Sequence, residues 1–161
     1  MEKNSTGNRK IVNATPMQFN GIQFKSRTEV MVYKLLSEYG FKPDYEGKTF
    51  TIWQGFTPSI PFYTKTLKGK APIRSLVLSM KKLLPIHYTP DFIVKAGKYT
   101  AIIEVKGYEN DVFPMKFKIF RKYLETRKGK YVIFEVFNKK MALQMIDKLK
   151  ELKKGKDEQE F

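Results

Sequence analysis

The sequence predicts one mixed α/β domain, a central β-sheet flanked by helices, and three observations carry that prediction. Segments of helical period alternate along the chain with segments rich in β-branched and aromatic residues. Apolar residues make up 42% of the 161 positions, with 13 Phe and 9 Tyr, enough at this length to bury a core. No internal repeat and no run approaching about 18 apolar residues diverts the chain to a solenoid or a membrane span.

The elements follow in order. The first 20 residues, with Asn4, Ser5, Thr6, Gly7, Asn8 and Pro16, are polar and aperiodic, and they read as a flexible basic arm ahead of a single domain over 21–161. Ser26-Arg27-Thr28-Glu29 has the spacing of a capping box, and Val32, Tyr33, Leu35, Leu36 and Tyr39 continue at helical intervals until Gly40. After Pro43, the alternating run Thr49 to Gln54 predicts a strand. Gly55, Pro58, Pro61, Gly69 and Pro72 punctuate 55–73 as a long loop, and Ser75 to Leu78 reads equally as strand or helix, so about 55–86 forms an insertion. Thr89 to Lys95 and Tyr99 to Lys106 suit a hairpin joined at Ala96-Gly97-Lys98. Asp111 and Pro114 announce a second helix with Phe113, Phe117, Phe120 and Leu124 on one face and Lys118, Arg121 and Lys122 on another. Tyr131 to Phe137 reads as a buried strand parallel to a neighbour. A last helix carries Ala142, Met145, Ile146, Leu149 and Leu152 as its apolar stripe, with Lys148, Lys150, Lys153 and Lys154 on its wet side.

Composition excludes several chemistries. With no Cys and one His, His87, the chain offers no disulfide framework, no thiolate zinc site, no cysteine nucleophile and no two-histidine metal site. Met1 to Lys10 is polar, which argues against a signal peptide and for a cytoplasmic protein. The charge points to a partner: 31 Lys+Arg against 16 Asp+Glu leave a net +15, and cations laid on phosphates release counterions. A solvated basic surface would account for the total but not for its distribution. Residues 47–90 hold no acid and carry Lys48, Lys65, Lys68, Lys70, Arg74, Lys81 and Lys82. DNA is therefore the expected partner, with Lys65, Lys68, Lys70 and Arg74 on its path.

Catalysis then falls to carboxylates and lysines. Strand alternation puts Glu104 and Lys106 on one face, and Asp91 on a face with Ile93 and Lys95. If Lys95 pairs with Lys98 or Thr100, Asp91 joins the face of Glu104 and Lys106; a three-residue loop without a bulge would separate them. Converging carboxylates in a half-buried sheet are costly unless a cation uses them. Carboxylate oxygens, the Val105 carbonyl and waters suit Mg²⁺, with Mn²⁺ expected to substitute. The chemistry that follows is phosphodiester hydrolysis, with Lys106 placing or deprotonating the water or offsetting developing charge. A compact ammonium can exchange a proton, which a guanidinium does not.

Pro90-Asp91 followed by Glu104-Val105-Lys106 resembles the P-D…(D/E)-x-K signature of the restriction-endonuclease-like nuclease superfamily. Gly21 to Glu29 resembles the G-I-x-F-x-S-x-x-E opening of a phage-borne branch that includes Holliday junction resolvases, and Tyr88 to Phe92 with Ile103 to Gly107 is similar to the nuclease subunit of heteromeric transposases. The resemblance implies a core in αβββαβ order and a Mg²⁺-dependent DNA endonuclease. It also implies that Glu29, by motif position, joins the metal site or its water shell. A phage-encoded junction resolvase acting as a homodimer on branched DNA, in a bacterial host cell, is the leading expectation. An end- or sequence-directed nuclease working with a transposase or packaging partner, and a DNA-binding protein without catalysis, are the alternatives.

Each assignment has a structural rival. Glu29 also suits the third position of its helix cap, Asp91 a turn after Pro90, and Glu104 with Lys106 a solvated strand face. His87 reads mainly as a strand residue. Lys116 and Lys118 are placed to grip a DNA backbone or simply to wet a helix face.

Overall fold

The computed structural model describes residues 16–66, 75–107 and 112–155. In chain order the elements are β1 (Met17–Phe19), β2 (Ile22–Phe24), α1 (Arg27–Glu38), β3 (Asp44–Tyr45), β4 (Phe50–Trp53), β5 (Phe62–Thr66), β6 (Ser75–Ser79), β7 (Ile86–Tyr88), β8 (Phe92–Ala96), β9 (Tyr99–Val105), α2 (Phe113–Glu125), β10 (Lys130–Val136) and α3 (Lys139–Lys153). They divide between two compact units, Met1–Thr49 with Thr89–Phe161, and Phe50–Tyr88. The fold is mixed α/β, and no helix among the described residues is long and apolar enough to cross a membrane.

The first unit is built on a four-stranded sheet in the order β10-β9-β8-β3. β8 and β9 form an antiparallel hairpin in which Ala96 pairs with Tyr99 and Lys95 with Thr100, closed by a two-residue turn whose Gly97 has φ +58°. That register is one of those that bring Asp91 to the face of Glu104. β10 runs parallel to β9, and a parallel neighbour needs a crossover, which α2 supplies. Phe92, Val94 and Ala96 of β8 share a face with Ala101, Ile103 and Val105 of β9, and this face carries the core with α1 and α3. Ile102, on the opposite face, is fully buried too, and Phe117 and Leu124 of α2 share a cleft with Ile133 and Glu135 of that face. The expected stripes of the last two helices are seen: Phe117, Phe120 and Leu124 are buried on α2, and Ala142, Met145, Ile146, Leu149 and Leu152 on α3.

Several boundaries differ from the sequence reading. Residues 1–15 lie outside the described residues, but Met17–Phe19 is a strand rather than arm, paired to β2 through Asn20 and Gly21 at φ +49° and +76°. Thr49 to Gln54 does hold a strand, yet β4 pairs with β7 and not with the central sheet. The sheet's first strand in sequence is the two-residue β3, too short to show any period. Part of 55–73 is strand β5: Gly55, Pro58 and Pro61 precede it and Phe62 to Thr66 pairs with β6, while Gly69 and Pro72 lie outside the described residues. The strand expected from Thr89 starts at Phe92, and the one expected to reach Lys106 ends at Val105. β10 is half-exposed rather than buried, because it is the edge of the sheet.

The described residues of the second unit form an antiparallel ribbon made of two strand pairs, β4–β7 and β5–β6, linked by one bridge. Pairing runs from Phe50 with Tyr88, through Thr51 with His87, Trp53 with Ile86 and Phe56 with Leu83, to the β5–β6 ladder ending at Thr66 with Ser75. Gly55 lets the strands close: a Cβ there would stand 2.4 Å from the Leu83 carbonyl oxygen.

Phe92 ties β8 to its surroundings. Its ring lies 5.3 Å from that of Tyr45 and 6.5 Å from that of Phe24, and Phe24 in turn lies 5.2 Å from Tyr33. Phe92→Ala is expected to cost about 3–5 kcal/mol in urea unfolding, as for other buried large-to-small changes; a loss below about 1 kcal/mol would contradict this packing.

Candidate active site

Four carboxylates and two ammonium groups gather where the β8–β9 hairpin ends against the start of α1. Ser26 caps α1: its Oγ accepts the Glu29 N–H at 3.1 Å and donates to Glu29 Oε1 at 2.9 Å. Glu29 does not bond the cap's own N–H, as a strict capping box would. Its Oε2 instead accepts the Lys25 N–H at 3.0 Å and the Tyr45 hydroxyl at 2.7 Å. Glu29 is thus a buried carboxylate held by three donors, and the helix-cap role is real. A carboxylate has about four lone-pair sites, so this bonding leaves it able to accept once more. Tyr45 stays a neutral donor, because burial and then Glu29 push its phenol well above the usual range.

Asp91 is set by backbone on both sides. Its carbonyl accepts the Glu46 N–H at 2.9 Å, and its Oδ2 accepts the Val105 N–H at 2.7 Å. Continuing the register beyond Phe92 with Ile103 puts Asp91 across from Glu104, on one face of the hairpin. Burial, and then the Glu104 charge, raise the Asp91 carboxyl from 3.8 to about 7; the Val105 N–H and Lys106 pull the other way, and Glu29 adds to the rise. Glu104 is 6% exposed, and Lys106 Nζ sits 2.6 Å from its Oε1. The same Nζ lies 3.3 Å from the centre of the Phe113 ring at the start of α2, so the ammonium is held between a carboxylate and an aromatic face.

The structure therefore brings Glu29, Asp91, Glu104 and Lys106 into one electrostatic neighbourhood, and it adds residues that sequence reasoning missed. Lys25 pairs with Glu46; burial works against its charge, but the hydrogen bond to Glu46 and the charges of Glu46, Asp91 and Glu29 hold its pKa above the usual value. Glu135 is the register partner of Glu104 on the parallel strand, half-buried on the same face. Tyr45 and Phe113 carried only a generic aromatic signal.

Other expected residues lie elsewhere. Lys65 is exposed on β5 of the second unit, and Lys68, Lys70 and Arg74 lie outside the described residues. Lys116 is half-exposed and Lys118 exposed on α2. His87 is a β7 residue with Nδ1 3.2 Å from Thr51 Oγ1 in the second unit, in keeping with its strand reading.

The donor set suits a hard divalent cation. Every side-chain ligand on offer is an oxygen, and burial, with the Glu104 charge second, keeps a proton on Asp91 to about 7, a positive charge that a cation would replace. Among the described residues no three His, Asp or Glu side chains close into a ready-made cage.

A family model described as "Protein of unknown function (DUF1064)" matches residues 9–140. No curated protein and no solved structure matches the chain.

The raised Asp91 carboxyl makes stability depend on pH. Between about 4 and 7 the folded protein holds a proton that the unfolded chain releases, so this group's contribution is full below about 4 and is lost as pH rises through about 7. In EDTA, the melting temperature of the wild type is expected to fall over that window relative to Asp91→Asn, whose amide oxygen still accepts the Val105 N–H. Parallel melting profiles for the two proteins would refute the raised value.

Proposed function

The chain belongs to the DUF1064 family, and we propose that this member is a Mg²⁺-dependent DNA endonuclease of the restriction-endonuclease-like fold. The observation that carries the proposal is the set Asp91, Glu104 and Lys106 at one end of a β-hairpin, with Lys106 Nζ 2.6 Å from Glu104 and Asp91 across the hairpin from it. Paired carboxylates beside a lysine are what a metal-assisted phosphodiester hydrolase needs. The core order α1, β3, β8, β9, α2, β10 supports the same reading, since it follows the αβββαβ order of that superfamily once the ribbon between β3 and β8 is set aside.

Asp91 and Glu104, with the Val105 carbonyl, would hold the cation, and Glu29 adds negative charge from α1. Bound there, Mg²⁺ would offset charge building on the scissile phosphate and acidify a water. Lys106 then has a defined task. Its ammonium, held by Glu104 and the Phe113 ring, orients the attacking water or donates to a phosphate oxygen as the water's oxygen bonds to phosphorus and the bond to one sugar oxygen breaks. The leaving sugar oxygen takes up a proton, and the water gives one up.

The substrate side of the proposal rests on charge. A net +15, with no acid between residues 47 and 90, favours a phosphate polymer. Branched DNA is the preferred substrate in this reading. A homodimer would bring two such sites to two strands, matching the symmetry of a junction.

Purified protein incubated with supercoiled plasmid and Mg²⁺ is expected to nick it, and EDTA to stop it. Asp91→Asn, Glu104→Gln and Lys106→Ala should each reduce cleavage by at least about a hundredfold while DNA affinity changes only a few-fold. Near wild-type nicking by any of them would contradict the site. A four-way junction cut no faster than linear duplex would remove the branched-DNA preference alone.

A further inference from the structure

We infer that the β5–β6 pair of the ribbon is laid in a DNA groove, its apolar face of Tyr63, Leu76 and Leu78 against bases or sugars and Lys65, Lys81 and Lys82 on phosphates. The inference rests on the DNA reading above but concerns a surface that takes no part in the cleavage chemistry.

Burial within the ribbon is uneven. Phe50, Ile52 and Tyr88, at its base, are buried, whereas Tyr63, Leu76 and Leu78 are 62%, 77% and 53% exposed. Register puts these side chains together: Tyr63 pairs with Leu78 and Lys65 with Leu76, all on one face. Two strands alone are marginal in water, and an exposed apolar cluster of this kind marks a surface that something covers.

Charge decides what covers it. Lys65 stands on the apolar face itself, Lys81 and Lys82 follow β6 as exposed residues, and the sequence has no acid from 47 to 90. Packing this face on a second copy would bring two acid-free cationic ribbons together, which like-charge repulsion opposes. A polyanion that also offers apolar surface answers both features. The DNA major groove is about 12 Å wide and admits a two-stranded β-ribbon, with phosphates on both rims for lysines and thymine methyls and sugar edges for apolar side chains.

The test uses the full chain and a fluorescein-labelled duplex in EDTA, with anisotropy read across a salt series. The triple variant Tyr63→Ser, Leu76→Ser, Leu78→Ser is expected to lose about tenfold or more in affinity with an unchanged slope of log K against log salt, because apolar contacts release no counterions. Lys65→Ala, Lys81→Ala and Lys82→Ala together should flatten that slope by about 0.9 for each phosphate contact removed. In the wild-type chain, irradiation of a duplex carrying 5-iododeoxyuridine should cross-link Tyr63, a result that needs no variant to fold. Unchanged affinity in the serine variant, cross-links only outside the ribbon, or no DNA binding by the wild type would overturn the inference. So would a serine variant that turns a dimer into a monomer, or loses binding to anionic vesicles, while holding DNA like the wild type. Binding is measured without metal, so the two readings fail separately. A chain that binds through the ribbon without cutting in Mg²⁺ loses only the nuclease. A chain that cuts while both variants bind normally loses only the ribbon.

Discussion

The acidic end of the sheet depends on the register of one hairpin. A two-residue turn at Gly97 and Lys98 pairs Ala96 with Tyr99, and counting outward from that pair puts Asp91 across from Glu104. A slip of one residue would turn Glu104 and Lys106 to the face occupied by Ile103 and Val105 and bury the charges in the core. The Asp91 carboxylate then locks the arrangement by accepting the Val105 N–H where the strand pairing ends. Burial and mutual repulsion raise the Asp91 carboxyl to about 7, so the hairpin holds together two groups that resist being together. In the proposed enzyme a divalent cation relieves that repulsion.

The surrounding elements serve this hairpin end from three directions. α1 delivers Glu29 through a helix cap, and β3 delivers the Tyr45 hydroxyl that holds it. α2 opens with Phe113, whose ring faces the Lys106 ammonium. The aromatic packing of Phe24, Tyr45 and Phe92 links these pieces, so the same residues that close the core also fix the distance between Glu29 and the hairpin.

Much of the first unit was legible because its signals are local. The Ser26 and Glu29 spacing, the stripes of α2 and α3, and the β8–β9 pair are written within about a dozen residues each, at the period of the element they form. What escaped was long-range or very short. β3 has two residues, and β4 has a genuine strand pattern whose partner, Ile86–Tyr88, lies more than 30 positions away, so no local pattern could assign it to the ribbon instead of the sheet. One miss had a signal: Asn20-Gly21 between Phe19 and Ile22 is a strong hairpin turn and marks the β1–β2 pair. At the site, Asp91, Glu104 and Lys106 could be placed on one face once the turn length was known. Lys25 and Glu46 could not, because they join the cluster through tertiary pairing rather than through spacing, and the same holds for Glu135 beside Glu104 on the parallel strand.

If Asp91 and Glu104 together hold a divalent cation, as proposed, diffraction from crystals soaked in Mn²⁺ will reveal it. The strongest anomalous difference peak is expected against the carboxylates of Asp91 and Glu104, and it should disappear in crystals of Asp91→Asn. A strongest peak elsewhere on the chain, or none at these carboxylates at saturating Mn²⁺, would contradict it.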